Sequence, residues 1–247
     1  MGSFYNDELN PKFWDKYTDK EGNPKWVFDK LVKNKLVKIA EDFYAKYEDL
    51  LGDLPIEDIQ LTGSLANFNY SDKSDLDVHV LVDFKKVKSP KDILKAAVDG
   101  VRFIWNLRHD VVIRDHDVEL YLQDIHEPHT SSGLYSLMND KWIRKPKFDP
   151  PEVDEQDVKK KYESFASEIN HMQSKLISSQ SLPSNAKDMY KRLLKIKEKI
   201  QKMRKDDLSK GGEFSVGNLA FKMLRNNGYI ENLIDLISKA YGRIYSE

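Results

Sequence analysis

The hydrophobic period of the chain changes abruptly near residue 152, and that change limits the available folds more than any single motif does. Val158, Tyr162, Phe165, Ile169, Met172 and Leu176 are spaced 4, 3, 4, 3 and 4, and Met189, Leu193, Ile196, Ile200 and Met203 are spaced 4, 3, 4 and 3. Both sets are heptad seams, which keep one face of a helix apolar. The stretch "SSQSLPSN" between them implies an antiparallel helix pair. A further helix is expected with Ser215 as its N-cap and Gly228 as its stop. A last helix should carry Ile230, Leu233, Ile234, Ile237, Tyr241 and Ile244 on one stripe. Residues 151–247 therefore read as an all-α helical bundle.

Residues 1–150 have a different grammar. Short β-type runs alternate with helical patterns: a helix from about Trp26 to Leu51, a strand at Ile59–Leu61, a strand at Asp75–Phe84 and a helix from about Pro90 to Asn106. "VVIRDHDVELYLQD" then supplies two β-rich runs around the turn-prone Asp115-His116-Asp117, a hairpin pattern. The expected fold class is an α/β domain, a mixed sheet with helices, followed by the helical bundle. Pro150-Pro151 is a natural linker, because neither residue donates a backbone hydrogen bond and proline restricts the residue before it.

Composition excludes several chemistries. The 40 Lys and Arg nearly balance the 41 Asp and Glu, so no global charge drives the chain toward nucleic acid or an anionic membrane. The absence of cysteine removes disulfides, thiolate metal sites and a Cys nucleophile together, and fits a reducing, cytoplasmic setting. No apolar run approaches the roughly 18 residues that span a bilayer. "MGSFYNDELN" lacks both a signal-peptide pattern and the Ser/Thr of a myristoylation motif. A soluble, untargeted protein with no membrane partner is the expectation.

The chemistry is concentrated in "LTGSLANFNYSDKSDLDVHVLVDF", Leu61 to Phe84. On a strand, Asp75, Asp77 and His79 point one way while Leu76, Val78, Val80 and Val82 point into a core. Two carboxylates are thereby forced side by side, which is costly unless a cation or a shared proton sits between them. A divalent metal resolves the repulsion, and hard oxygen ligands without cysteine favour Mg²⁺ or Mn²⁺. Gly63 can turn the chain after a strand, and "SLANFN" can begin a short helix whose free N–H groups, with the Ser64 hydroxyl, suit phosphate. In "DVELYLQD", alternation puts Glu119, Tyr121 and Gln123 on one face, and Glu119 is the carboxylate set well inside the apolar run. Beside the aspartate strand it would complete a three-carboxylate cluster able to orient or deprotonate an attacking hydroxyl.

Gly63-Ser64, ten intervening residues, Asp75-Leu76-Asp77 and a later acid in another β-run resemble the signature of the DNA polymerase beta nucleotidyltransferase superfamily, particularly its minimal nucleotidyltransferases. The segments "LTGSLAN" and "GEFSV" are also similar to those of nucleotidyltransferases from large tailed phages, and the two-part layout is similar to that of aminoglycoside nucleotidyltransferases. The resemblance implies that Gly63 and Ser64 bind the triphosphate of an NTP, that Asp75 and Asp77 ligate metal, and that Glu119 is the third catalytic and metal-binding carboxylate. The implied reaction moves NMP from an NTP to a hydroxyl acceptor and releases pyrophosphate. The acceptor stays open between a small molecule, a second nucleotide, a nucleic-acid 3′ end and a protein, as in antitoxin-like transferases. The non-enzymatic alternative is a degenerate module that binds nucleotide or a partner. Many members carry a second glycine four residues after the serine, where this chain has Phe68.

Other features have bland readings that compete well. Asp117 is the substitute should Glu119 merely face solvent, and His79 reads best as a satisfied, partly buried histidine. "HEPH" at 126–129 cannot form the i, i+4 pair of a helical zinc site and reads as a loop. Residues 187–210 hold ten basic against four acidic side chains, which suits nucleic acid but better suits a solvated face around a seam. Trp142, beside Arg144, Lys145 and Lys147, reads as core before it reads as a base-stacking platform.

Overall fold

The computed structural model describes residues 5–52, 54–129, 131–148, 152–178 and 183–245. The chain forms two compact units, 1–149 and 150–247. The linker expected at Pro150-Pro151 lies outside the described residues, as do residues 179–182 between the first two bundle helices.

The first unit opens with a hairpin, β1 (Trp14–Thr18) and β2 (Pro24–Phe28), paired from Trp14↔Phe28 to Thr18↔Pro24. This corrects the helix expected from Trp26. Trp26 and Phe28 alternate inward as strand residues, and the helix starts only after Asp29, whose carboxylate accepts the N–H groups of Leu31 and Val32. That helix, α1 (Lys30–Tyr44), ends in a 3₁₀ turn, and a short α2 (Glu48–Leu51) follows. Next come β3 (Asp58–Thr62), a 3₁₀ turn at Ser64–Ala66, β4 (Leu76–Val82) and α3 (Lys91–Arg108). The sheet is completed by β5 (Val112–Ile113), β6 (His116–Asp124), β7 (Leu134–Ser136) and β8 (Lys141–Arg144).

The sheet order is β5-β6-β4-β3-β7-β8, and the β4 and β6 pair, joined through α3, is parallel while the other neighbours are antiparallel. Its apolar face (Leu61, Val78, Val80, Val82, Leu120 and Leu122) shares one core with Leu36 and Phe43 of α1 and Leu94, Val98 and Trp105 of α3. Two boundaries differ from expectation. The strand expected at Asp75–Phe84 pairs only over Leu76–Val82, so Asp75 stands just before it. The β5–β6 turn is Arg114-Asp115, both with positive φ (52° and 67°) as a tight primed hairpin turn requires, so His116 and Asp117 open β6.

The second unit consists of α4 (Glu155–Ser178), α5 (Pro183–Gly211), α6 (Val216–Asn226) and α7 (Tyr229–Tyr245). Both heptad seams face one core: Ile169, Met172, Leu176, Met189, Leu193, Ile196 and Ile200 are all buried there. The last stripe is met in part: Leu233 is buried, and Ile230 and Ile237 pack against the same core. Leu233, Leu236 and Ala240 are the buried positions of α7, whereas Ile234 and Tyr241 are half exposed (54% and 51%). A small residue, Ala240, permits the close approach that bulk at 241 cannot. Ser215 stands at the N-cap of α6, yet its buried hydroxyl makes no capping bond. The Asp207 carboxylate accepts the Gly217 N–H instead, at 2.7 Å. Among the described residues no helix is long and apolar enough to cross a membrane.

Candidate active site

The parallel register of β4 and β6 sets Asp77 directly against Glu119 and His79 against Tyr121, and β3 brings Thr62 opposite Asp77. Leu76, Val78, Val118 and Leu120 point into the core, so Asp77 and Glu119 emerge together on the other face, about one strand spacing (~4.8 Å) apart. Asp75 precedes β4 by one residue and Asp117, which is exposed, precedes Glu119 by two.

Gly63 ends β3 with φ 73° and ψ −160°, a conformation that essentially only glycine adopts. A Cβ on Gly63 would lie 1.9 Å from Oδ2 of Asp77. The glycine therefore both turns the chain and makes room for the carboxylate. Ser64 starts the 3₁₀ turn, shorter than the helix expected there, and its hydroxyl donates to Ser74 Oγ at 2.8 Å. Ser74 is fully enclosed. Its Oγ also accepts the Ser71 N–H (2.9 Å), and its carbonyl accepts His116 Nδ1–H (2.6 Å). The turn is gripped from two more sides: Trp14 Nε1–H donates to the Leu65 carbonyl at 2.7 Å, and Gly133 packs so closely that a Cβ there would sit 1.9 Å from the Ala66 carbonyl oxygen. Phe68, where the resemblance anticipates glycine, is buried in the core with its ring edge-on to Phe148 at 5.3 Å.

Behind Glu119 lies an ordered polar and aromatic group. The Tyr121 hydroxyl donates to Glu119 Oε2, and the Tyr121 ring stacks on His79 at 4.7 Å with 17° between planes. His79 Nδ1–H donates to Gln123 Oε1 at 2.6 Å, so the histidine is the satisfied, largely buried residue that its strand position suggests. Burial, with smaller contributions from the cationic forms of His129 and Arg102, holds the His79 ring near a pKa of about 4, although the Gln123 bond opposes this. The Tyr121 phenol is pushed far up, first by burial and then by the negative charges of Asp77 and Glu119. Sequence reasoning passed over Tyr121, although its i, i+2 spacing from Glu119 placed the two side chains on one face.

A second grouping was also missed. Among the described residues, Asp83, Asp124 and His126 bring one ligand atom each within 4.8 Å of one another, a compactness that the Asp75, Asp77 and Glu119 set does not reach. Asp83 follows β4 and Asp124 ends β6, so these side chains collect at the far end of the same two strands. His126 Nε2 is 3.2 Å from Asp83 Oδ1, and Lys86 stands 3.9 Å from Asp83 Oδ2. The "HEPH" segment is a loop. Trp142 stacks on Trp14 at 4.6 Å and serves packing.

Compared with protein families, with curated proteins and with solved structures, the chain finds no match.

Proposed function

We propose that the first unit is a metal-dependent nucleotidyltransferase of the DNA polymerase beta type, which moves NMP from an NTP to a hydroxyl acceptor and releases pyrophosphate. The observation that carries this reading is the in-register pair Asp77 and Glu119 on adjacent parallel strands, with Gly63 shaped to admit the Asp77 carboxylate. The donor set is all oxygen, which suits a hard divalent cation, and its three carboxylates would have to close up from their present spacing to share one ion. Asp75, Asp77 and Glu119 would hold Mg²⁺ or Mn²⁺, and such an ion, when bound, neutralises charge on the triphosphate and the departing pyrophosphate.

The chain's own groups divide the remaining work. Ser64, supported by Ser74, reorients its hydroxyl to donate to a phosphate oxygen, with Ser74 donating to it in return. Glu119 accepts the proton of the attacking hydroxyl. A bond then forms between the acceptor oxygen and the α-phosphorus, the bond from that phosphorus to the bridging oxygen breaks, and the electron pair leaves with pyrophosphate.

A nucleic-acid acceptor is the second reading, favoured by charge. Residues 150–247 hold 18 Lys and Arg against 14 Asp and Glu, and Lys187, Lys191, Lys195, Lys202 and Lys205 lie exposed along α5. The direct test of the proposed site is thermal stabilisation by nucleotide. Mg-NTP should raise the Tm of the wild type more than Mg²⁺ or NTP alone, and Asp77→Ala should abolish the difference. Equal stabilisation of both proteins would refute the site.

A further inference from the structure

We propose that Tyr121 is the positioning residue for Glu119: its hydroxyl holds one carboxylate oxygen of Glu119 and leaves the other directed at the reacting groups. The inference rests on the nucleotidyltransferase reading for what Glu119 does, and on geometry alone for how Glu119 is held.

A glutamate on a strand has three rotatable bonds and, on a partly open face, many directions available to its carboxylate. A carboxylate that must take a proton or share a cation needs one of them. Tyr121 supplies the constraint because it is itself immobilised. It lies two residues on, on the same face of β6, and directly opposite His79 in register. Its ring stacks on the imidazole at 4.7 Å, the imidazole is fixed by Gln123 at 2.6 Å, and the Arg102 guanidinium sits 5.1 Å from the ring centre. Rigid strand, stacked ring and hydrogen-bonded imidazole thus form a continuous support ending at one oxygen of Glu119. Partners of this kind, which orient a ligating or proton-accepting group, typically contribute 10- to 100-fold to affinity or activity.

Tyr121→Phe keeps the stack and removes only the hydroxyl. On the full chain, two quantities are read in the wild type, Tyr121→Phe, Glu119→Gln and the double variant: Mn²⁺ affinity followed by electron paramagnetic resonance, and kcat with KM for NMP transfer. Tyr121→Phe should lower kcat roughly 10- to 100-fold with KM for Mg-NTP held within a few-fold, and should weaken Mn²⁺ binding about tenfold with Tm unchanged. In the Glu119→Gln background the same change should add nothing to at least one of the two readouts, because the oxygen it positions no longer carries charge. A merely structural tyrosine would give additive losses. If the wild type makes no product, the nucleotidyltransferase reading falls and the Mn²⁺ cycle decides Tyr121 by itself. Additive losses in every measurable readout, or Tyr121→Phe matching the wild type, would overturn the proposal.

Discussion

Gly63→Ala tests the geometry of the site with a single methyl group, and Gly52→Ala is its internal control. The two glycines have nearly the same backbone conformation, φ 73° and ψ −160° at Gly63 and φ 71° and ψ −166° at Gly52. An L-residue is strained by roughly 1–3 kcal/mol at either position. They differ in surroundings. A Cβ on Gly52 meets nothing within 4 Å, whereas one on Gly63 would lie 1.9 Å from Asp77 Oδ2 and 2.9 Å from its Cγ. Relieving that overlap requires the carboxylate to move by about 1 Å or more, a shift of the overpacking kind that costs about 1–3 kcal/mol. Gly63→Ala should therefore cost about 2–6 kcal/mol, against about 1–3 for Gly52→Ala. At roughly 2–4 °C per kcal/mol for a domain of this size, differential scanning calorimetry resolves the difference. The second expected outcome is functional: Gly52→Ala keeps the extra stabilisation by Mg-NTP and Gly63→Ala loses it, because Asp77 has been displaced. Identical Tm values, with the Mg-NTP response retained by both, would refute the claim that Gly63 exists to seat Asp77.

Three further outcomes are expected. His79, whose pKa falls from 6.5 to about 4 on folding, favours the folded state in its neutral form, so its contribution is full above pH 6.5 and is lost as the pH falls toward 4. The loss should amount to about 1.4 kcal/mol per pH unit and roughly 3 kcal/mol in all; it should be shallower in His79→Gln by urea titration, with His129 adding in the same direction. Residues 152–247 expressed alone should remain helical by circular dichroism, since both seams close on a core of their own, and a disordered fragment would contradict that. Should RNA be the acceptor, neutralising Lys191, Lys195 and Lys202 to Gln should reduce the salt dependence of RNA binding by about 0.7 in log–log slope per residue; an unchanged slope would remove α5 from the interface.

The elements that sequence made legible are those with one strong period. The α4 and α5 seams follow from 4-3 spacing because their large residues face one core, and β4 and β6 follow from alternation because one face is apolar. The N-terminal hairpin was masked, since Trp26 and Phe28 run straight into the apolar pattern of α1 and only the Asp29 cap separates them. In α7 the expected stripe holds at Ile230, Leu233 and Ile237 and misses Leu236 and Ala240, because bulk was weighted over a small residue. Strand periodicity made legible that Asp77 and Glu119 stand on the face opposite the apolar one, where the parallel register sets them side by side, whereas Gly63, Ser64 and Asp75 lie outside the strands. The supports of the candidate site were not legible, because Ser74, His116, Gly133 and Tyr121 acquire their roles only from pairings across the sheet and between loops.

The most direct test of the central claim is product formation from NTP labelled at the α-phosphate, with Mg²⁺, a panel of hydroxyl acceptors and parallel measurement of pyrophosphate. Wild-type protein should transfer label and release pyrophosphate in equal amounts, and Glu119→Gln should bind Mg-NTP within a few-fold of wild type while transferring roughly a hundredfold more slowly or less. Wild-type protein that binds Mg-NTP yet yields neither labelled acceptor nor pyrophosphate, or Glu119→Gln that transfers at the wild-type rate, would contradict it.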